Sequence, residues 1–150
     1  MNADGPLRLL ARDTDDIKVL AACLQDAVVL VREMRFLPGE RRFVMVANRF
    51  RWEDAGRERT AEGTPVYERV HCGVCFENVT AVRQRGLDQT RPGQIAALLT
   101  IEAGEGAVEL TFSGSATVRL EVDRLLCHVR DINEPWPTQW RPAHPLDDEA

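Results

Sequence analysis

Cys72 and Cys75 are three positions apart, a spacing at which two thiolates bind one zinc ion when a turn brings both sulfurs to the same side. Cys127 and His128 would complete a set of four ligands. Residues 70–76, however, show the apolar alternation of a strand, and a strand directs Cys72 and Cys75 to opposite faces. The same rule separates the adjacent Cys127 and His128. We therefore predict that the cysteines are reduced thiols and that the chain binds no metal. If it did bind zinc, these four residues would be the candidate ligands.

Nucleophilic catalysis needs a serine or cysteine beside a histidine, with a third group to orient the histidine. The histidines are His71, His128 and His144, and none of them stands in a recognisable catalytic motif. Both serines fall in a predicted hairpin turn. The glycines at 104–106 join strand to strand, whereas a phosphate-binding loop joins strand to helix. The sequence therefore predicts no catalytic residue and no cofactor, although an enzyme with residues dispersed over several strands stays an alternative.

The basic residues can form an interaction surface in the middle of the chain. Between residues 32 and 91, twelve arginines stand against nine acidic residues, whereas the whole chain has a net charge of −5. Arginines interleaved with aromatic side chains suit single-stranded nucleic acid, so a nucleic-acid-binding module is one alternative. Solvated strand faces explain the same residues equally well. The predicted interaction surface consists of Arg41, Arg42, Arg49, Arg51, Trp52, Trp136 and Trp140.

The elements that would position these residues are mostly strands. Apolar residues occupy every second position in three successive runs, separated by glycine-containing turns at 104–106 and 113–115. This pattern predicts an antiparallel meander. After Val122 the alternation shifts by one residue, which predicts a bulge or corner near Asp123 and Arg124. The alternating apolar residues are Ile95, Ala97, Leu99, Ile101, Val108, Leu110, Phe112, Val118, Leu120 and Val122.

One helix is predicted before the meander. Asp13 and Thr14 can cap free backbone amides, and apolar residues at helical spacing follow from residue 15 to about 26. The sequence Pro38-Gly39 lies between two strand-like runs and predicts a hairpin with a type II turn. The other segments with a strand pattern are 7–11, 28–36, 43–47, 66–76 and 79–87.

Length and composition fit one domain comprising residues 1–150, with 44% hydrophobic and 29% charged residues. No run approaches the ~18 apolar residues of a membrane span, and the first residues lack the features of a secretory signal. We therefore predict a cytoplasmic protein without membrane contact. Residues 53–65 contain few apolar side chains and predict a mobile loop. Residues 133–150 hold four of the eight prolines, and we expect Trp136 and Trp140 to fasten an extended tail to the sheet or helix.

Four segments together resemble a known family: 24–29 (LQDAVV), 36–43 (FLPGERRF), 48–53 (NRFRWE) and 108–122, where VELTFSG is followed by VRLEV. They are similar to a small bacterial family, found chiefly in alphaproteobacteria, that is catalogued only as a domain of unknown function. The resemblance extends from residue 7 to about 144. It implies a single cytoplasmic bacterial domain and supplies no activity, cofactor or catalytic residue. Residues 71–75 depart from the family pattern, in which ordinary strand residues occupy these positions.

These observations predict an α+β fold, with one N-terminal amphipathic helix against a mostly antiparallel, strongly bent sheet or partly closed barrel of seven or eight strands. By analogy, the nearest named architecture is the pleckstrin-homology-like barrel, although its usual helix follows the last strand. The favoured function is a non-enzymatic protein-binding or adaptor domain that presents a sheet edge or groove to a protein partner. The sequence leaves the oligomeric state open.

Overall fold

The computed structural model describes residues 7–50, 58–59, 65–66, 69–91 and 93–132. Within them the chain forms one α-helix, α1 (Thr14–Cys23). The strands are β1 (Arg8–Ala11), β2 (Val28–Leu30), β3 (Arg35–Leu37), β4 (Arg42–Phe50), β5 (Glu58–Arg59), β6 (Pro65–Val66), β7 (Arg69–Phe76), β8 (Val79–Arg85), β9 (Ile95–Gly104), β10 (Ala107–Phe112), β11 (Thr117–Val122) and β12 (Cys127–Asp131).

Ten of these strands form a single sheet in the order β1-β12-β7-β4-β2-β9-β10-β11-β8, with β3 paired to β4 beside this path. Every pairing is antiparallel, and β5 and β6 form a separate short ladder. The predicted α+β class, with one helix and a mostly antiparallel sheet, is confirmed. The described strands outnumber the seven or eight expected, in part because a short 3-10 turn at Val31–Glu33 divides the predicted run 28–36 into β2 and β3.

Two short connections join strands that are far apart in the order of the sheet, so the sheet must bend to bring these strands together. Glu77 and Asn78 connect β7 to the edge strand β8, and residues 123–126 connect β11 back to β12. The amide of Glu77 donates to the carbonyl of Leu126 (2.9 Å), and the amide of Asp123 donates to the carbonyl of Asn78 (3.0 Å). The predicted corner near Asp123 and Arg124 is therefore confirmed, and the sheet curls without closing.

Helix α1 begins as its sequence predicts, because the carboxylate of Asp13 accepts a hydrogen bond from the amide of Asp16 (2.8 Å). The helix ends at Cys23 rather than near residue 26. Asp26 adopts a left-handed conformation (φ 64°), and its amide donates to the carbonyl of Leu98 (2.8 Å), which joins the chain to β9. The buried side of α1 packs against β9 and β1 on the inner face of the sheet. No described helix is long and apolar enough to cross a membrane.

In the first half of β9 the alternating residues of the predicted pattern do not form the buried face. Ala96 and Leu98 are buried, whereas Ile95 and Leu99 are 62% and 45% exposed. The pairing with β10 shifts at this point, so that Leu99 is an extra residue and Ile101 returns to the buried face. Because apolar residues occupy both faces of β9, periodicity alone could not show which face is inward.

The hairpin between β3 and β4 is confirmed, but its turn is not type II. Gly39 does not have the positive φ that this turn requires, and the left-handed residue is Arg41 (φ 57°). Two overlapping turns form the loop, because the amide of Glu40 donates to Leu37 and that of Arg41 donates to Pro38. Residues 133–150 and most of 53–65 lie outside the described residues, so the tail and the mobile loop remain expectations.

Candidate functional site

A groove of about 610 Å³ lies on the outer face of the sheet, where β1, β12 and β7 run side by side. Gly73 lines the floor of the groove and contributes no side chain. A Cβ added there would lie 3.7 Å from Cγ2 of Ile132. Leu10 and Ile132 add apolar surface, and both side chains are exposed. The groove can therefore receive a large apolar side chain from a ligand.

Strand register explains which side chains reach the groove. Leu10, His128 and Cys75 are directly opposite one another on the three strands, and so are Arg8, Arg130 and Gly73. Successive residues of a strand point to opposite faces, so these two rows share the outer face. The alternate positions, including Ala11, Cys127 and Val129, face the buried core. We call this surface the β1–β12–β7 groove.

Two exposed arginines, Arg8 and Arg130, are cross-strand neighbours at one side of the groove. The adjoining pair is hydrogen-bonded, since the amide of Asp131 donates to the carbonyl of Leu7 (3.0 Å). Arg8 and Arg130 therefore form a non-hydrogen-bonded pair, whose side chains lie closer together. Neither guanidinium has a carboxylate partner within the described part of the chain. Like charges in direct opposition are destabilising, and a bound anionic group would relieve the repulsion.

Cys75, Glu77 and His128 bring a thiol, a carboxylate and an imidazole together beside the groove. Oε2 of Glu77 lies 3.8 Å from Sγ of Cys75 and 3.3 Å from Nε2 of His128. Its Oε1 accepts a hydrogen bond from Nε of Arg42 at 2.9 Å. The carboxylate thus contacts both the thiol and the imidazole, whereas in a nucleophilic triad the imidazole contacts the thiol.

Burial, followed by the negative charge of Glu77, raises the pKa of the Cys75 thiol. A carboxylate beside a thiol disfavours the thiolate, which is the nucleophilic form. The cluster therefore holds Cys75 as a neutral hydrogen-bond donor. The three side chains can therefore form hydrogen bonds with a ligand at the edge of the groove, but the thiol is not activated as a nucleophile.

The zinc candidates separate into two pairs. Cys72 and Cys127 are fully buried on the inner face, while Cys75 and His128 lie opposite each other on the outer face. Burial raises the pKa of Cys72 to about 12 and also raises the pKa of Cys127. No group of three or more histidine, cysteine or acidic side chains in the described ranges has a metal-binding arrangement. The fold therefore brings Cys75 and His128 together and keeps the other two thiols apart from them.

Arg49 was expected on an interaction surface, but the structure buries it completely. Its Nε and Nη2 donate to Oδ1 (3.0 Å) and Oδ2 (2.9 Å) of Asp131, whose side chain is 4% exposed. The amide of Leu7 also donates to Oδ2 of Asp131 (2.8 Å). This bidentate pair joins β4 to the end of β12 and the start of β1, and so positions the strands of the groove. The alternation of Phe43, Met45 and Ala47, if continued to residue 49, would have indicated the inner face, but the prediction followed the charge of arginine.

The other residues of the predicted interaction surface do not converge on the groove. Arg41 pairs with Asp123, and Arg42 pairs with Glu77 at the corner of the sheet. Arg51, Trp52, Trp136 and Trp140 lie outside the described residues.

Sequence reasoning missed the two arginines of the groove and Leu10. Arg8 and Leu10 lie near one end of the described chain and Arg130 lies near the other. Only the pairing of β1 with β12 makes them neighbours. A short strand with two outward-facing residues gave no local signal of a site.

Comparison with known proteins places the chain in a family but assigns no activity. No curated protein and no solved structure was found to match it. One family model, described as "Protein of unknown function (DUF2948)", matches residues 7–144. That range includes β1, β7 and β12, which build the groove. Because the match covers nearly the whole sequence, the chain belongs to this family of unknown function.

Proposed function

We propose that this protein is a non-enzymatic protein-binding domain, and that the β1–β12–β7 groove binds an extended, acidic segment of a partner protein. The observation that carries the proposal is the pair formed by Arg8 and Arg130, two neighbouring cations above an apolar floor. A carboxylate of the partner would form charge-assisted hydrogen bonds to these guanidinium groups. An adjacent apolar side chain of the partner would rest on Leu10, the exposed apolar residue of β1.

The free edge of β1 supports binding in an extended conformation. β1 is the last strand at its end of the sheet in the described chain. Because Leu7 and Asp131 form a hydrogen-bonded pair, Arg8 and Leu10 direct their backbone N–H and C=O groups away from β12. A peptide can add to such an edge as another strand, with main-chain hydrogen bonds for affinity and side-chain contacts for specificity.

The two alternative functions have less support. The thiol of Cys75 is disfavoured as a thiolate, so the most obvious nucleophile near the groove is not activated. Arg41 and Arg42 are ion-paired and Arg49 is buried, which removes charge from the nucleic-acid surface that the sequence suggested. We place the function in the cytoplasm, where the four free cysteines would stay reduced.

A library of random linear peptides displayed on phage tests the proposal. Selection on the full chain should enrich peptides that contain an acidic residue beside a large apolar one. Arg130→Glu should abolish their binding, because it repels the carboxylate. The matched control is Arg85→Glu, a reversal of an exposed arginine on the edge strand β8 at the other end of the sheet, and it should bind normally.

The Arg130→Glu variant should lose binding without losing stability. The substitution puts a carboxylate opposite Arg8 in place of a second cation. The opposite-charge pair stabilises the folded state by about 0.2–1 kcal/mol. Urea denaturation of the wild type and the variant checks this. An enriched motif that binds both reversed variants equally, or a library that yields no motif, would contradict the proposed function. Binding of single-stranded RNA that weakens steeply with salt would favour the nucleic-acid alternative.

A further inference from the structure

We propose that the groove is occupied by the chain's own segment 133–150, which a partner must displace before it binds. The inference rests on the proposed function, since it assigns a regulator to the same site. The described chain ends at Ile132, and the segment continues directly from that residue. The position of Ile132, the chemistry of the segment and its length support the proposal.

Ile132 brings the start of the segment to the groove itself. Its amide donates to the carbonyl of His71 (2.9 Å), and its Cγ2 lies 3.7 Å from the position of a Cβ added to Gly73. The Ile132 side chain remains 47% exposed although it lines an apolar groove. Ile132 therefore lies at the groove, and an apolar surface is available to the residues that follow it in the sequence.

The segment has the chemistry that the groove would select. Trp136 and Trp140 carry large apolar rings that suit the space over Gly73. Glu134 is two residues beyond Ile132 and can reach Arg8 or Arg130, and the segment as a whole has one basic and four acidic residues. Its four prolines cannot donate ladder hydrogen bonds, so the segment would lie over the sheet rather than extend it as a strand.

The length of the segment is sufficient. Eight residues connect Ile132 to Trp140, and an extended chain spans up to ~3.3 Å per residue, or about 26 Å. Three adjacent strands span only about 10 Å between the outer two axes. Both tryptophans can therefore contact the groove without any change in the described strands.

Tryptophan fluorescence of the full chain tests this occupation without any partner. Trp52→Phe leaves Trp136 and Trp140 as the only tryptophans. In that background we expect blue-shifted emission and an acrylamide quenching constant well below that of N-acetyltryptophanamide. Adding Gly73→Gln fills the groove floor and should raise the quenching constant about threefold.

The matched control is Gly104→Gln in the same background. Gly104 has nothing within 4 Å of an added Cβ and lies at the end of β9, so quenching should not change. The Cβ at Gly73 makes only an ordinary contact with Ile132, so Gly73→Gln should fold, which circular dichroism verifies. Two results would overturn the inference. One is a quenching constant of the Trp52→Phe chain equal to that of N-acetyltryptophanamide, and the other is the same quenching constant for the Gly73→Gln and Gly104→Gln variants.

The outcome is distinguishable from failure of the proposed function. If selected peptides bind the groove while the tryptophans are fully quenchable, only the self-occupation is wrong. If the tryptophans are protected but no peptide motif emerges, even from selection on the Trp136→Ala, Trp140→Ala double variant, the proposed function fails and the self-occupation stands. Where both hold, this double variant should bind the selected peptides at least about tenfold more tightly than the wild type.

Discussion

Replacing Asp131 with alanine would leave the guanidinium of Arg49 in the core without its carboxylate. The side chain of Arg49 is fully buried, and two of its donors lie 2.9 and 3.0 Å from Asp131. Removing one member of such a buried pair costs about 3–5 kcal/mol, because the remaining charge stays buried after losing the carboxylate that neutralised it. The amide of Leu7 also loses an acceptor. The loss is a large fraction of the ~5–15 kcal/mol by which a domain is usually stable.

A double-mutant cycle separates this pair from general packing. Arg49→Met should cost about 3–5 kcal/mol, since it leaves the Asp131 carboxylate buried without its cation. The double variant Arg49→Met, Asp131→Leu should cost less than either single variant, because neither charge remains. Equilibrium urea denaturation at pH 7 measures all four proteins. Arg83→Ala is the control, since its ion pair with Glu121 is exposed and should contribute about 0–1 kcal/mol.

Two outcomes would refute this reasoning. Single variants that each lose less than 1 kcal/mol would mean that water or another group compensates the remaining charge. A double variant whose loss equals the sum of the single losses would mean that the two side chains do not interact. In either case the pair would not be what holds β12 and the start of β1 in place.

Two further predictions concern the buried thiol and one glycine. Burial raises the pKa of Cys72 from 9 to about 12, so its contribution to stability is complete below pH 9 and is lost as the pH rises toward 12. Between pH 8 and 10.5, urea denaturation should show that the free energy of unfolding falls more steeply with pH for the wild type than for Cys72→Val. The same pH dependence in both proteins would contradict the raised pKa of Cys72. Gly86→Ala should lower stability by about 1–2 kcal/mol, because Gly86 has φ +84° and its added Cβ would lie 3.1 Å from Cα of Ala116. Gly104→Ala, where the space is open, should change it by less than ~0.5 kcal/mol, and equal losses would exclude the strain.

Much of the secondary structure followed from local patterns. The cap at Asp13 and the glycine turns of the meander each depend on residues close together in sequence. Local patterns were insufficient where apolar residues cover both faces, as in β9, or where tertiary hydrogen bonds compete, as at the end of α1. The amide of Asp26 donates to β9 there, so the helix is shorter than its periodicity indicates.

The candidate site shows the same limit more sharply. Strand alternation was enough to place Cys72 and Cys75 on opposite faces, and Cys127 and His128 likewise. The same alternation, if continued, puts Arg49 on the face of Phe43 and Met45, but the prediction followed the charge of arginine and put Arg49 on the surface. The chain could bury Arg49 only because Asp131, distant in sequence, supplies a carboxylate at the right position.

The sequence by itself determined the α+β class, the antiparallel meander and the separation of the cysteines, because these depend on periodicity and on turn residues a few positions apart. The tertiary structure decided which strands are neighbours, and that alone brings Arg8 beside Arg130 and both beside Gly73. Strand pairing between distant segments is selected by the burial of the whole core, a property of the assembled sheet that no single segment carries. For this reason the groove, which supports the proposed function, is visible only in the folded chain.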